Sequence, residues 1–124
     1  MRTILVVEDD FEIQQIISIY IHEKTNYKVV IADDGEVAID LIQENMPDLI
    51  LLDMMLPRIG GMALLQNIKK NKKIKNIPVI FMSGVLIDET FRKEGIDLGA
   101  VDYLKKPIDL EAMLEKIMRI LGDI

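Results

Sequence analysis

Cysteine is absent from this chain, so it has no disulfide framework, no thiolate nucleophile and no cysteine-built metal site. Histidine occurs once, as His22 near the end of a helical stretch, where a surface position suits it better than phosphotransfer or metal binding. Basic charge is scarce: 15 Lys and Arg stand against 21 Asp and Glu, a net charge of -6. Proteins that grip a phosphate backbone present a basic face, so this balance argues against direct nucleic-acid binding. Long apolar runs are missing too. The first run follows Met1-Arg2-Thr3 and is too short for a signal peptide or a membrane span. There is no internal repeat and no low-complexity segment. These absences together fit a cytoplasmic setting without membrane contact.

What remains is a chain of 124 residues, 50% hydrophobic, which suits one domain over residues 1–124 with its own core. Five short runs rich in Ile, Val and Leu recur along it: Ile4–Val7, Lys28–Ile31, Leu49–Leu52, Pro78–Met82 and Ala100–Leu104. The first and third are continuously apolar, as strands covered on both faces are. Helical spacing fills the gaps. The expected stripes are Ile13, Ile16, Ile17, Tyr20 and Ile21, then Val37, Ala38, Leu41 and Ile42, then Leu64, Leu65 and Ile68. A fourth helix, about Asp88 to Leu98, is the least apolar. A fifth is expected to begin near Asp109, bury Leu110, Met113, Leu114, Ile117 and Leu121, and stop at Gly122. Strict alternation of this kind implies right-handed crossovers and a parallel sheet with helices on both faces.

Ligand sites in such sheets lie beyond the carboxyl ends of the strands, near the point where strand order reverses. Those ends carry Glu8-Asp9-Asp10 after the first strand, Asp53 after the third, Ser83 after the fourth and Lys105-Lys106-Pro107 after the fifth. Carboxylates gathered on one rim repel one another unless a divalent cation neutralises them. Asp10 reads as a helix N-cap rather than a metal ligand, and Asp33-Asp34-Gly35 as a turn plus helix start. The run Lys69-Lys70-Asn71-Lys72-Lys73 reads as a solvated helix end, where cations suit the dipole. The eight methionines read mostly as core filler.

Four motifs, Val6-Val7-Glu8-Asp9-Asp10, Leu51-Leu52-Asp53-Met54-Met55-Leu56-Pro57, Met82-Ser83-Gly84 and Asp102-Tyr103-Leu104-Lys105-Lys106-Pro107, resemble the receiver domain of two-component response regulators over essentially the whole chain. The resemblance implies a flavodoxin-like, doubly wound α/β fold: a five-stranded parallel sheet of order 2-1-3-4-5 with five helices. It implies that Asp53 is the phosphoacceptor, supplied by a sensor histidine kinase or a histidine phosphotransfer protein. Mg2+ would be held by Asp9, Asp53 and the Met55 backbone carbonyl, with Glu8 acting through water. Lys106 would meet the phosphoryl group, Ser83 and Tyr103 would be the switch pair, and the Lys106–Pro107 bond would be cis. A downstream protein would read the face of the fourth helix, fifth strand and fifth helix, with the chain a monomer or a phosphorylation-dependent dimer. Exposed Phe11 and Ile19 on the first helix would belong to the surface where the phosphodonor docks.

One departure is plain. Relatives carry an Asp-Gly pair before the third helix, whereas this chain has Gly60-Gly61 and so lacks a capping carboxylate there. Met55 and Val85, the apolar residues flanking the site, cannot orient a hydrolytic water, so the resemblance implies a long-lived phospho-Asp53. The sequence stops just past the fifth helix, which suits a stand-alone regulator and an excised receiver alike. Two alternatives stay open: a phosphohydrolase that turns over an aspartyl phosphate, disfavoured by Met55 where such enzymes carry a second acid, and a pseudo-receiver that serves only as an interaction module.

Overall fold

In the computed structural model, which describes residues 1–84 and 89–124 (Phe91 by its backbone alone), strands and helices alternate from end to end. The order is β1 (Thr3–Val7), α1 (Phe11–Lys24), β2 (Lys28–Ala32), α2 (Gly35–Asn45), β3 (Leu49–Asp53), α3 (Gly61–Lys70), β4 (Val79–Ser83), α4 (Glu89–Asp97), β5 (Asp102–Lys105) and α5 (Leu110–Leu121). The strands pair in parallel in the order β2-β1-β3-β4-β5. This is the expected doubly wound sheet, with small shifts of boundary. β4 begins at Val79 rather than Pro78, whose ring carries no ladder donor. β5 begins at Asp102 rather than Ala100.

Alternation along the strands sorts the core into two layers. Ile4, Val6, Leu49, Leu51, Ile80 and Met82 face α1 and α5, where Ile17, Ile21, Met113, Leu114 and Ile117 meet them. Leu5, Val7, Ile50, Leu52, Val79 and Phe81 face the other way, against Ala38 and Ile42 of α2 and Leu64, Leu65 and Ile68 of α3. All five residues of β3 and of β4 are buried, which is why those runs carry no alternating polar positions.

Several helix ends follow the chain chemistry. Asp10, Asp34 and Asp109 cap α1, α2 and α5, each accepting a hydrogen bond from a backbone N–H three residues on. Gly122 closes α5 with φ at 76°, a left-handed conformation open to glycine at no steric cost. α3 has Gly60 as its N-cap and no side-chain capping bond, as the missing aspartate predicts.

Two expected stripe residues are not core. Ile16 is 51% exposed and Val37 is 42% exposed. On α1 the buried positions are Gln14, Ile17 and Ile21, so the inward face is rotated away from Ile16 and takes in a polar residue instead. Lys69 also departs from a solvated helix end: its ammonium donates to the carbonyls of Lys75 and Ile77, and burial lowers its pKa. Met1, Met46 and Met55 are exposed rather than core filler. Asp88, expected to open the fourth helix, lies outside the described residues.

Candidate functional site

Chain order reverses between β1 and β3, which are direct neighbours. Their carboxyl ends therefore bring Glu8 and Asp9 beside Asp53. One carboxylate oxygen from each of the three lies within 4.8 Å of the others. Glu8 is fully buried and Asp53 is 2% exposed, whereas Asp9 faces solvent. The turn after β5 reaches over the same point. Lys106 Nζ lies 2.7 Å from Glu8 Oε1 and 3.3 Å from Asp53 Oδ2.

Backbone bonds fix this rim. The Glu8 N–H donates to the Ala32 carbonyl, the last rung toward β2, at 3.1 Å. The Met55 N–H donates to Asp53 Oδ1 at 3.0 Å, turning the carboxylate back over its own loop. The Lys106 N–H donates to the Ser83 carbonyl at 2.6 Å, which ties the β5 turn to the end of β4, and Ser83 itself is buried. The Lys106–Pro107 peptide is cis, in line with the resemblance. Gly61 explains how α3 fits so close: a Cβ there would press on the Asp53 carbonyl oxygen and sit 2.5 Å from the Met54 Cα.

The electrostatics show an unmet demand for positive charge. Burial first, then its hydrogen bond to Asp53, pushes Glu8 up to about 7, even though Lys106 pulls it down. Burial lowers the Lys106 pKa, but the Glu8 hydrogen bond and the Asp53 and Glu8 charges outweigh it and raise the net value. A single amine does not balance three carboxylates. The donors on hand are all hard oxygens, with no sulfur or imidazole among them, so they fit a hard divalent cation such as Mg2+ and not a thiophilic metal.

A family model described as the response regulator receiver domain matches residues 4–118. The chain belongs to the response regulator receiver family. Among its relatives is the DNA-binding dual master transcriptional regulator RpaA of Synechocystis sp., 37% identical over 123 residues, or 98% of this chain and 49% of that protein. Another is the 3',5'-cyclic-nucleotide phosphodiesterase regA of Dictyostelium discoideum, 36% identical over 122 residues, or 97% of this chain and 15% of that protein. The receiver thus spans about half the length of the first and a small part of the second. Among solved structures, a two-component response regulator from Clostridium difficile superposes with a TM-score of 0.90 at 27% identity, over 98% of this chain and 97% of that one. Receiver domains are signalling modules that bind Mg2+ at an acidic pocket, and this receiver has such a cluster in Glu8, Asp9 and Asp53.

Tyr103 stands on the edge strand β5, partly buried against the core layer that holds Phe81. Its ring stacks on Phe81 with centroids 5.8 Å apart, and the Arg92 guanidinium lies over it, 5.1 Å from the centroid. Asp102 beside it is bridged by Lys116 of α5 at 2.7 Å. Asp10 caps α1 and does not join the acid cluster. Met55 is 69% exposed beside Asp53, while Val85 lies outside the described residues. No described helix is long and apolar enough to cross a membrane. Sequence reasoning passed over Gln14 and Arg58, and read Asp33 only as part of a turn. Gln14 holds the rim from beneath, and Arg58 ties the loop after β3 to the α2 cap Asp34 at 2.8 Å. The signal for Gln14 was its spacing with Ile17 and Ile21, hidden because it is polar.

Proposed function

We propose that residues 1–124 form one receiver domain that takes a phosphoryl group onto Asp53 from a phosphohistidine of a sensor kinase or phosphotransfer protein. The observation that carries the reading is the meeting of the Glu8, Asp9 and Asp53 oxygens within 4.8 Å, with the Lys106 amine beside two of them. An Asp53 oxygen forms the new bond to phosphorus while the bond from phosphorus to the donor imidazole nitrogen breaks, and the imidazole takes up a proton. The transition state is loose, so catalysis is mostly positioning and charge neutralisation. Asp9, Asp53 and the Met55 carbonyl would hold Mg2+, with Glu8 acting through water. When bound, that ion supplies positive charge to the phosphoryl oxygens. Lys106, 3.3 Å from Asp53, meets one phosphoryl oxygen as a point charge.

Ser83 and Lys106 then donate to the new oxygens. Such charge-assisted contacts contribute about 1.5–3 kcal/mol each, and a shift from 1:99 to 99:1 needs about 5.5 kcal/mol. Two contacts made only in the active state sum to about 3–6 kcal/mol and reach that total at the upper end. Ser83 draws its loop inward, Tyr103 moves into the space left, and the α4-β5-α5 face changes for a protein partner. The net charge of -6 speaks for a protein there rather than nucleic acid. Phe11, 71% exposed, and Ile19, 55% exposed, supply apolar contact for the donor on α1. A cytoplasmic setting follows from the kind of donor, and the receiver would be a monomer or dimerise on phosphorylation.

Intact-mass measurement after acetyl phosphate and Mg2+ tests this. One phosphoryl group is expected on the wild type and none on Asp53→Asn. Sustained turnover of small phosphomonoesters would favour a phosphohydrolase instead, and an unlabelled wild type would favour a pseudo-receiver. Exposed, apolar Met55 offers no group to orient water, so phospho-Asp53 should be long-lived without a phosphatase; a half-life of seconds would overturn that point.

A further inference from the structure

Among the described residues the buried polar side chains are Glu8, Asp53, Ser83 and Gln14. The first three stand in the proposed site, and the fourth lies on α1 outside it. Gln14 is 5% exposed on the inward face of α1, in line with Ile17 and Ile21, where an aliphatic residue would pack without polar cost. Its Nε2 donates at 2.6 Å to the Glu8 carbonyl and at 2.8 Å to Asp33 Oδ1. Both amide hydrogens are thereby used, and both go to the rim.

We infer that Gln14 is a positioning residue for the acidic site, holding the turn after β1 in the form that gathers the carboxylate oxygens. The inference rests on the reading of Glu8, Asp9 and Asp53 as a cation site. Its physical basis is the peptide between Glu8 and Asp9. The Glu8 N–H is already anchored to Ala32 of β2 at 3.1 Å. Gln14 anchors the carbonyl of the same residue, so the plane of the following peptide, and with it the direction of the Asp9 side chain, is set from both sides. Asp9 faces solvent, and its orientation is therefore imposed through its backbone. Asp33 completes the tie by fixing the far end of the amide to the turn after β2. Outer contacts of this kind typically change metal affinity by about 10–100-fold when removed.

Gln14→Met keeps the length and much of the volume of the side chain but has no donor. We expect it to raise the half-saturating Mg2+ concentration about tenfold, read both from amide NMR shifts of the rim and from the rate of Asp53 labelling by acetyl phosphate. At saturating Mg2+ the labelling rate should return to within about twofold of wild type, a split that general loosening of the fold would not produce. Asp33 is exposed, so its variants test the same tie without risk to folding. Asp33→Asn retains an oxygen acceptor and should stay within about twofold, whereas Asp33→Ala should weaken Mg2+ roughly threefold or more. Equal weakening by both would mean that charge and not the tie matters, and would overturn the inference. So would an unshifted Mg2+ dependence in Gln14→Met beside a wild type that binds and is labelled. A wild type that neither responds to Mg2+ nor takes the label overturns the site reading and this inference together.

Discussion

The neighbouring glycines before α3 should respond oppositely to substitution. A Cβ at Gly61 would sit 2.5 Å from the Met54 Cα and 3.1 Å from the Asp53 carbonyl carbon, where ordinary contact begins at 3.4 Å. All of these atoms are backbone, so no side chain can swing away, and α3 would have to retreat by roughly 1 Å. Overpacking of this kind costs about 1–3 kcal/mol, and a clash with backbone lies at the upper end. Alanine is a better helix former than glycine by about 1 kcal/mol. The balance for Gly61→Ala is a loss of about 1–2 kcal/mol, or a fall in Tm of about 5 °C for a domain of this size. At Gly60 a Cβ would have no neighbour within 4 Å, and the residue serves as an N-cap without a side-chain bond. Gly60→Asp should therefore gain a few tenths of a kcal/mol from the cap. Urea and thermal unfolding of the two variants beside wild type give the answer. If Gly61→Ala is as stable as wild type, helix propensity alone governs this position and the close approach to Asp53 carries no energetic weight. Because the clash falls on Asp53 itself, Gly61→Ala should also slow acetyl phosphate labelling, whereas Gly60→Asp should leave α3 seated.

Arg58 lies in the left-handed region with φ at 62°, and its guanidinium pairs with Asp34. Arg58→Gly should exceed Arg58→Ala in stability by about 1 kcal/mol, the cost of that conformation for a residue with a Cβ; equal midpoints in urea would refute it. Arg92→Ala removes the cation over Tyr103 and should alter the ring signals of Tyr103 in NMR spectra. Unchanged ring signals would show that the guanidinium does not hold the tyrosine. The Tyr27 hydroxyl, pushed up to about 12 by burial and by its hydrogen bond to Asp123, favours the folded state fully below its unfolded value near 10. That contribution is lost as pH rises from about 10 to about 12, so stability should fall more steeply there in wild type than in Tyr27→Phe. Parallel pH profiles for the two proteins would count against the argument.

β1, β3 and β4 were legible because they are buried on both faces, and burial of that kind leaves a continuous apolar run such as Leu49–Leu52. The acids, Ser83 and Lys106 were legible because a strand that ends in a polar group delivers it to the rim, whatever packs behind. The helices were legible in existence and in caps, Asp10, Asp34 and Asp109 each being a local matter of side chain and nearby N–H. Their rotation was less so. Periodicity weighs Ile16 as core and Gln14 as surface, and the fold reverses both, because Gln14 is bonded to Asp33, 19 positions away. Lys69 is drawn inward in the same manner by the carbonyls of Lys75 and Ile77.

By itself, then, the chain determined which segments become strand or helix and which end of the sheet carries the chemistry, since both follow from local pattern and from the apolar demand of a buried strand. Tertiary structure alone decided which polar groups could go inside and how near two elements could come, as with Gln14 beneath the rim and Gly61 against Asp53. Those outcomes depend on partners remote in sequence, and a hydrogen bond or a steric contact exists only once both sides are in place.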